Sequence, residues 1–206
     1  MNELFKFLLN LASVGIIAAV IVRLLFMEEV VVRDNGMAPT LVYGDEVLMW
    51  KGAHADMADV MVCEHPARDG QLVIGRAVAF AGHTIHTEAG GLYIDRDQTA
   101  TQISGTVSFY DVTRQRHDEM LLGEIDYFGK HSHAFFAAPG VRFSLPTYTV
   151  ARGIYLLGDN RADSSFDSRE FGEVDPQRCL GQVVLRWKPA PPSGDDLGHH
   201  MLDFIQ

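Results

Sequence analysis

The sequence predicts a mostly β domain that follows one N-terminal transmembrane helix. Three observations indicate this class. The chain begins with one long apolar run, the remainder is divided into short runs of β-forming residues, and Gly, Asn, Asp and Pro separate those runs. A chain of 206 residues is long enough for one membrane anchor and one domain with a hydrophobic core.

Residues 7–26 (FLLNLASVGIIAAVIVRLLF) are predicted to form the transmembrane helix. About 20 apolar residues cross the ~30 Å hydrocarbon core of a bilayer as a helix. The only charge, Arg23, lies near one end, where its side chain can reach the headgroups. The absence of a polar face argues against a buried soluble helix, and the absence of an A-x-A-like site argues against a cleavable leader. Lys6 precedes the run, so residues 1–6 are expected in the cytoplasm.

Residues 27–188 are predicted to form the β domain, with residues 96–147 as a smaller inserted subdomain. The β-like runs are 29–32, 46–50, 59–63, 72–74, 91–94, 154–157 and 182–187. The insertion is more polar and irregular, which predicts short strands and loops. Residues 189–206 are rich in Pro, Gly and Asp at their start, and a flexible C-terminal tail is expected there.

Composition limits the partners and cofactors of this protein. The formal net charge of −10 and the pI near 5.2 argue against nucleic acid, which requires a basic face. Cys63 and Cys179 could pair outside the cytoplasm, but their separation in sequence leaves the disulfide open. No spacing typical of zinc sites occurs, so neither a metal nor another cofactor is predicted. The paired histidines are expected to be mostly exposed polar residues: His131, His133, His199 and His200.

Three segments carry the most specific pattern in the chain. They are NGMAPTL at 35–41, IGRAV at 74–78, and GDNR at 158–161 followed by DSR at 167–169. In this order, after an N-terminal span, they resemble the signature blocks of type I signal peptidases, the serine/lysine endopeptidases that remove leader sequences. The residues kept from that pattern are Met37, Pro39, Thr40, Arg76, Gly158, Asp159, Asn160, Arg161, Ser164, Ser165, Asp167, Ser168 and Arg169.

The resemblance also shows what is missing. In that family a serine precedes the Met of the first block and a lysine precedes the Arg of the second, but here these positions are Gly36 and Gly75. A serine hydroxyl attacks only when a base such as a neutral lysine removes its proton. Arg76 cannot replace that base, because a guanidinium does not lose its proton in proteins. Asp34 stands where the family commonly has a hydroxyl that helps to bind the oxyanion, and a carboxylate there would oppose the transition state.

The third block is kept in detail but is one residue longer than the family pattern. Ser164 and Ser165 are therefore both candidates for the middle serine, which supports the lysine in active relatives. Asp167 is expected to pair with Arg169 or Arg161 and so to hold the loop. A scaffold kept without its reactive atoms is what a non-catalytic homologue would show.

The sequence thus predicts a signal-peptidase-I-like protein that is catalytically inactive. It is expected in the bacterial inner membrane, with the main domain periplasmic. The resemblance implies a binding, regulatory or structural subunit of a membrane complex, with the membrane, other membrane proteins or preprotein leader segments as partners.

Two alternatives stay open. The first is an active signal peptidase that cleaves leader peptides from exported preproteins through a non-standard nucleophile. Its candidate nucleophiles are Ser164, Ser165 and Ser168, and its candidate bases are His83 and His86. The second is an anchored β-rich domain of unrelated function, which the ordered blocks disfavour.

Overall fold

The computed structural model describes residues 3–129 and 131–205, and its architecture is the predicted one, mostly β with a single long N-terminal helix. This helix, α1, comprises Glu3–Phe26 and therefore begins before the predicted residue 7 and ends at the predicted residue 26. Its 24 residues correspond to ~36 Å at 1.5 Å per residue. The most apolar part of α1 has no residue buried inside the protein, as expected for a helix that contacts lipid.

The largest sheet has seven strands, in the spatial order β1-β2-β13-β3-β4-β12, with β14 added beside β13. All these neighbours are antiparallel. The strands are β1 Met27–Val31, β2 Glu46–Lys51, β3 Val60–Glu64, β4 Leu72–Phe80, β12 Ile154–Leu157, β13 Cys179–Lys188 and β14 Asp203–Phe204. The helix α1 leads directly into β1, and the ring of Phe26 stacks on that of Trp50 with 5.6 Å between centroids.

The seven-stranded sheet is strongly curled. In a flat sheet β1 and β4 would be separated by four spacings of about 4.8 Å. Here residues of both strands line one cavity, and their buried side chains join one apolar cluster that includes Val30, Val47, Val62, Ile74 and Val183. The curl places Asp34, the residue before the first sequence block, and Ile74, the first residue of the second block, along that cavity.

Two smaller sheets complete the β structure. One has the order β11-β5-β6-β7 and the other β10-β9-β8. Their strands are β5 Thr84–Glu88, β6 Gly91–Ile94, β7 Asp97–Gln98, β8 Ala100–Asp111, β9 Arg116–Tyr127, β10 His131–Ala137 and β11 Tyr148–Thr149. Short helices α2 (Ser168–Phe171) and α3 (Ser193–Asp196) and a 3-10 turn (Pro176–Arg178) lie in the C-terminal part.

The three-stranded sheet lies inside the insertion predicted at 96–147, but its strands are longer than expected. Both β8 and β9 have 12 residues, whereas the sequence predicted short strands and loops. The first seven residues of β8 are exposed, so that part of the hairpin lacks the apolar alternation that marks a half-buried strand.

A disulfide joins Cys63 of β3 to Cys179 of β13. The two residues are directly opposite each other in neighbouring antiparallel strands. Sequence reasoning left this pairing open because 116 residues separate the cysteines, and only the strand order brings them together.

The C-terminal segment differs from the expected flexible tail. Its strand β14 pairs with β13, and the Arg186 Nη1 donates to Asp203 Oδ2 at 2.6 Å. The N–H of Ala190 donates to Asp45 Oδ1 at 2.8 Å, and Ala190 and Ser193 are buried. These contacts with buried charged groups offset the conformational entropy that the segment loses when it becomes ordered. The Pro- and Gly-rich composition alone does not reveal such contacts.

Candidate functional site

The first and third sequence blocks are in direct contact. The N–H of Asn160 donates to the carbonyl of Gly36 at 2.9 Å, and Asn160 Nδ2 donates to the carbonyl of Asn35 at 3.1 Å. A Cβ atom on Gly158 would lie 2.4 Å from the Gly36 oxygen, so only glycine allows this approach. The close packing of two backbones therefore explains why position 158 in the third block is a glycine.

Arg76 and Asp159 tie the second block to the other two. Both side chains are completely buried. Arg76 donates from Nε to Oδ1 at 2.9 Å and from Nη2 to Oδ2 at 2.7 Å, and Thr40 Oγ1 donates to Oδ2 at 2.5 Å. Burial alone would raise the pKa of Asp159, but the paired Arg76 guanidinium reverses this and holds that pKa well below its usual range. Arg76 thus has a structural role here that does not depend on a lysine beside it.

His133 also belongs to this buried network, although the sequence predicted an exposed residue. Its Nε2 lies 3.1 Å from Asp159 Oδ1, and its ring stacks on Tyr127 with 5.4 Å between centroids. Neither ring nitrogen has a well-aligned hydrogen-bond partner in the described chain. Burial lowers the pKa of His133, so the ring is neutral at physiological pH.

His199 is likewise not a free surface residue. Its Nε2 lies 2.7 Å from the carbonyl oxygen of Pro39, and burial lowers its pKa. Across residues 3–129 and 131–205 no group of three or more His, Cys, Asp or Glu side chains is arranged to hold a metal ion. The side chain of His131 lies outside the described residues.

Neighbouring side chains occupy the space at Gly36 where a nucleophile would stand. Gly36 does not have a positive φ, so its backbone does not require glycine. A Cβ atom there would lie 2.9 Å from Asp34 Oδ1 and 3.0 Å from Phe166 Cβ. The N–H of Gly36 itself donates to Asp34 Oδ1 at 2.8 Å. Phe166 was missed by sequence reasoning, although the extra residue between Arg161 and Asp167 was a signal of a changed loop.

The space at Gly75, where the base would stand, is occupied by the side chain of Leu156. The φ of Gly75 is not positive either, yet a Cβ atom there would lie 2.9 Å from Leu156 Cβ. The pairing of β12 with β4 shifts register between Tyr155 and Leu156, and the N–H of Leu156 donates to Ser168 Oγ at 2.9 Å. Because the Leu156 Cβ is attached directly to this held backbone, no rotamer change removes the clash.

The carboxyl group beside Gly36, that of Asp34, has a shifted pKa. Burial raises the pKa of Asp34 to about 6, while the N–H of Gly36 opposes the shift and the carboxylate of Asp163 adds to it. At neutral pH the group is therefore mostly ionised. It is an acceptor without a proton to donate, which is the opposite of what an oxyanion requires.

The loop of the third block is closed by Asp167 and Arg169. Arg169 Nη2 lies 2.6 Å from Asp167 Oδ2, and Arg169 Nη1 donates to the carbonyl of Arg161 at 2.8 Å. Asp167 also accepts the N–H of Gly158 at 2.8 Å and the N–H of Arg169 at 2.9 Å, where it begins α2. Of the two partners expected for Asp167, the structure has Arg169.

The side chains of the alternative catalytic set have other neighbours. Ser168 is 3% exposed, and its Oγ accepts a backbone N–H. Ser164 and Ser165 are exposed on the loop before α2. His83 lies in the turn between β4 and β5, and His86 stacks on Tyr93. Within the described chain no hydrogen bond joins one of these serines to either histidine.

The lysines of the described chain lie elsewhere. Lys6 is on α1, Lys51 is exposed at the end of β2, and Lys188 pairs with Glu46 at 2.8 Å. None of these three lies among the residues that line the cavity beside Gly36. The described residues therefore do not offer a lysine in place of the one missing at position 75.

A groove remains open beside the two glycines. A cavity of about 580 Å³ is lined by Val30 and Val31 of β1, Leu72 and Ile74 of β4, and Phe166. Among the described strands, β1 pairs only with β2, and residues 72–75 of β4 pair only with β3. Both strands therefore present a free edge near the cavity, where an extended peptide could add as a strand.

The comparisons with known proteins agree with the sequence blocks. The family model described as "Signal peptidase, peptidase S26" matches residues 4–188. The chain is 28% identical over 182 residues to the protein named signal peptidase I of Streptococcus pneumoniae strain R6, covering 81% of this chain and 85% of that protein. It is 27% identical over 194 residues to signal peptidase I V of Bacillus subtilis strain 168, covering 89% of this chain and 98% of that protein. It is 25% identical over 192 residues to probable signal peptidase I-1 of Synechocystis, covering 87% and 81%.

Proposed function

Since the chain belongs to the signal peptidase family, peptidase S26, we propose that it is a member without catalytic activity. In this proposal it is a membrane-anchored subunit that binds extended segments of exported preproteins, or a partner in the same membrane complex, and does not cut them. The scaffold of the family holds its shape through the Arg76–Asp159 pair, which does not need the reactive groups.

One observation carries the loss of catalysis. The two positions that would hold the attacking oxygen and the proton acceptor are glycines, and the space beside them is filled by Asp34, Phe166 and Leu156. Removing members of a serine-protease catalytic set typically lowers the rate by about 10⁴- to 10⁶-fold. Here two members are absent and their space is closed, so residual hydrolysis would be negligible.

The open groove supports the binding role. Two free strand edges border a cavity whose lining combines apolar side chains with the polar Arg33, Asp34, Asp69 and Gln71. Free strand edges capture extended peptides by main-chain hydrogen bonds. The carboxyl group of Asp34 at the end of the groove would favour a peptide without acidic residues at that point.

The membrane anchor and the disulfide support a location of the protein at a membrane, with the β domain outside the cytoplasm. The long apolar helix fits a membrane-anchored protein, and a disulfide persists mainly outside the cytoplasm. We place the protein in the bacterial cytoplasmic membrane, with residues 1–6 on the cytoplasmic side and the β domain on the outer side.

A cleavage assay tests the loss of catalysis. The full chain in detergent is incubated with a leader-peptide substrate, beside an active signal peptidase as positive control. We expect no turnover above the background without protein. Turnover that disappears in Ser164→Ala or His83→Ala would instead establish the alternative, an active peptidase with a non-standard nucleophile.

A crosslinking assay tests the binding role. A leader peptide with a photoreactive group is irradiated with the full chain, and we expect adducts on β1 and β4. Leu72→Trp should fill the groove and reduce crosslinking, whereas Leu180→Trp changes a leucine of similar exposure outside it (41% and 37%) and should not. Equal labelling of both variants would contradict binding in the groove.

Purification from native membranes tests the complex. We expect the chain to be recovered with other membrane proteins after mild detergent extraction. Recovery of a lone monomer would contradict the subunit role. Peptide binding in the groove would then be judged by the crosslinking assay alone.

A further inference from the structure

A second cavity, of about 610 Å³, lies on the far side of the third-block loop and has an unusual charge. Three arginines line it, Arg142, Arg161 and Arg169, and none of the described residues that line it is acidic. The whole chain has 27 acidic and 17 basic residues, so a cavity with only positive charges stands apart from the rest of the protein. The cavity is distinct from the groove between β1 and β4.

Arg161 is the residue that distinguishes this cavity. It is only 6% exposed, and its Nη2 donates to Tyr127 Oη at 3.2 Å. Its Nε is buried without a hydrogen-bond partner, and no carboxylate of the described chain forms an ion pair with its guanidinium. The other arginines with little exposure each have such a carboxylate: Arg76 has Asp159, Arg169 has Asp167, and Arg186 has Asp45 and Asp203.

Aromatic rings compensate the charge of Arg161 only in part. Its guanidinium carbon lies 5.7 Å from the ring centroid of Phe135 and 5.4 Å from that of Phe143, and Arg169 lies over the same Phe143 ring at 5.6 Å. Such stacking stabilises a cation through the face of the ring. It supplies no acceptor for the N–H groups at the edge of the guanidinium, so the bond from Nη2 to Tyr127 leaves part of the hydrogen-bonding capacity of Arg161 unused, including that of Nε.

We propose that this cavity binds an organic carboxylate through Arg161. A carboxylate matches the planar edge of a guanidinium and would neutralise a buried charge that the protein itself leaves without a counter-ion. The remaining wall, which includes Val141, Leu145, Tyr148 and Tyr155, offers an apolar surface for the body of the ligand. The volume is in the range of sites for small molecules and short peptide ends. This site does not depend on the proposed loss of catalysis or on binding in the groove.

Calorimetric titration of the full chain in detergent tests the proposal with matched ligands. N-acetylphenylalanine represents the carboxyl end of a peptide, its amide removes only the charge, and 3-phenylpropionate represents a free acid. We expect at least one acid to bind about tenfold or more tightly than N-acetylphenylalaninamide, with weaker binding at high salt. A preference for N-acetylphenylalanine would indicate peptide ends as the source, and a preference for 3-phenylpropionate would indicate free acids.

Variants connect the binding to the arginines. Arg161→Gln should lower the affinity by about tenfold or more. Arg142→Gln, at the exposed rim of the cavity, should lower it by a few fold, and this variant is expected to fold even if Arg161→Gln does not. Arg96→Gln changes an exposed arginine outside the cavity and should bind like the natural protein. Failure of both acids to bind at about 10 mM, equal affinity for acid and amide, or unchanged binding in Arg142→Gln and every folded Arg161 variant would overturn the proposal.

Discussion

Replacing Asp34 by Asn should stabilise the protein at neutral and alkaline pH but not in acid. Burial raises the pKa of Asp34 from 3.8 to about 6, so the folded state disfavours the ionised form. The resulting penalty is absent below pH 3.8, grows between pH 3.8 and 6, and is constant above pH 6. Each pKa unit corresponds to about 1.4 kcal/mol, which gives at most roughly 3 kcal/mol, and partial exposure to water reduces this to about 1–3 kcal/mol.

The Asn side chain keeps the oxygen that accepts the N–H of Gly36, so this variant changes the charge and not the hydrogen bond. For a chain of this size, the gain corresponds to an increase in melting temperature of roughly 3–10 °C. Thermal unfolding in detergent at pH 8, 6 and 4, with the same heating rate, measures it. Asp97→Asn, which changes an exposed carboxylate on β7, is the control and should have no such effect. An equal change at all three pH values, or a loss of stability at pH 8, would refute the reasoning about Asp34.

Three further predictions concern the glycines, the buried ion pair and the disulfide. The double variant Gly36→Ser, Gly75→Lys should fail to cleave a leader peptide, because a Cβ atom at position 75 meets the Leu156 Cβ at 2.9 Å; cleavage by this variant without a change at Leu156 would disprove the steric explanation. Asp159→Asn should lower the free energy of unfolding by about 3–5 kcal/mol, because it leaves Arg76 buried without its carboxylate; urea unfolding measures this, and a loss below about 1 kcal/mol would mean that water reaches the pair. Reduction of the disulfide should lower the same free energy by about 2–5 kcal/mol, and an unchanged unfolding midpoint after complete thiol release would contradict this.

The sequence by itself was sufficient for the family and the fold class, and it showed which two positions of the family pattern are glycine. A transmembrane helix and a catalytic serine or lysine are local properties, since each is read from a short run or from the residue at one position of a motif. Gly36 and Gly75 could therefore be identified as the two changed positions without any coordinates. The retained Arg76 and Asp159 could also be named, although their partnership across 83 residues could not.

The features that depend on distant contacts could not be predicted in this way. The packing of Phe166 against Gly36 and of Leu156 against Gly75 follows from how two loops and a shifted strand meet. The C-terminal segment was expected to be flexible because its composition is typical of linkers, but the buried Asp45 and Arg186 hold it against the sheet. Composition indicates the conformation that a segment would prefer in isolation. It does not indicate which side chains the fold places next to that segment.

Only the tertiary structure shows which charged side chains of the sequence blocks have an oppositely charged partner. Asp159 lies between Arg76 and His133, while Arg161, two residues later in the same motif, has aromatic rings beside it and no carboxylate partner among the described residues. Asp159 and Arg161 follow the end of β12, where the chain is no longer a regular strand, so side chains two positions apart do not share one face and their environments differ. The sequence determined which groups are present, and the three-dimensional packing determined which of them still lack a partner, because electrostatic pairing depends on distance in space and not along the chain.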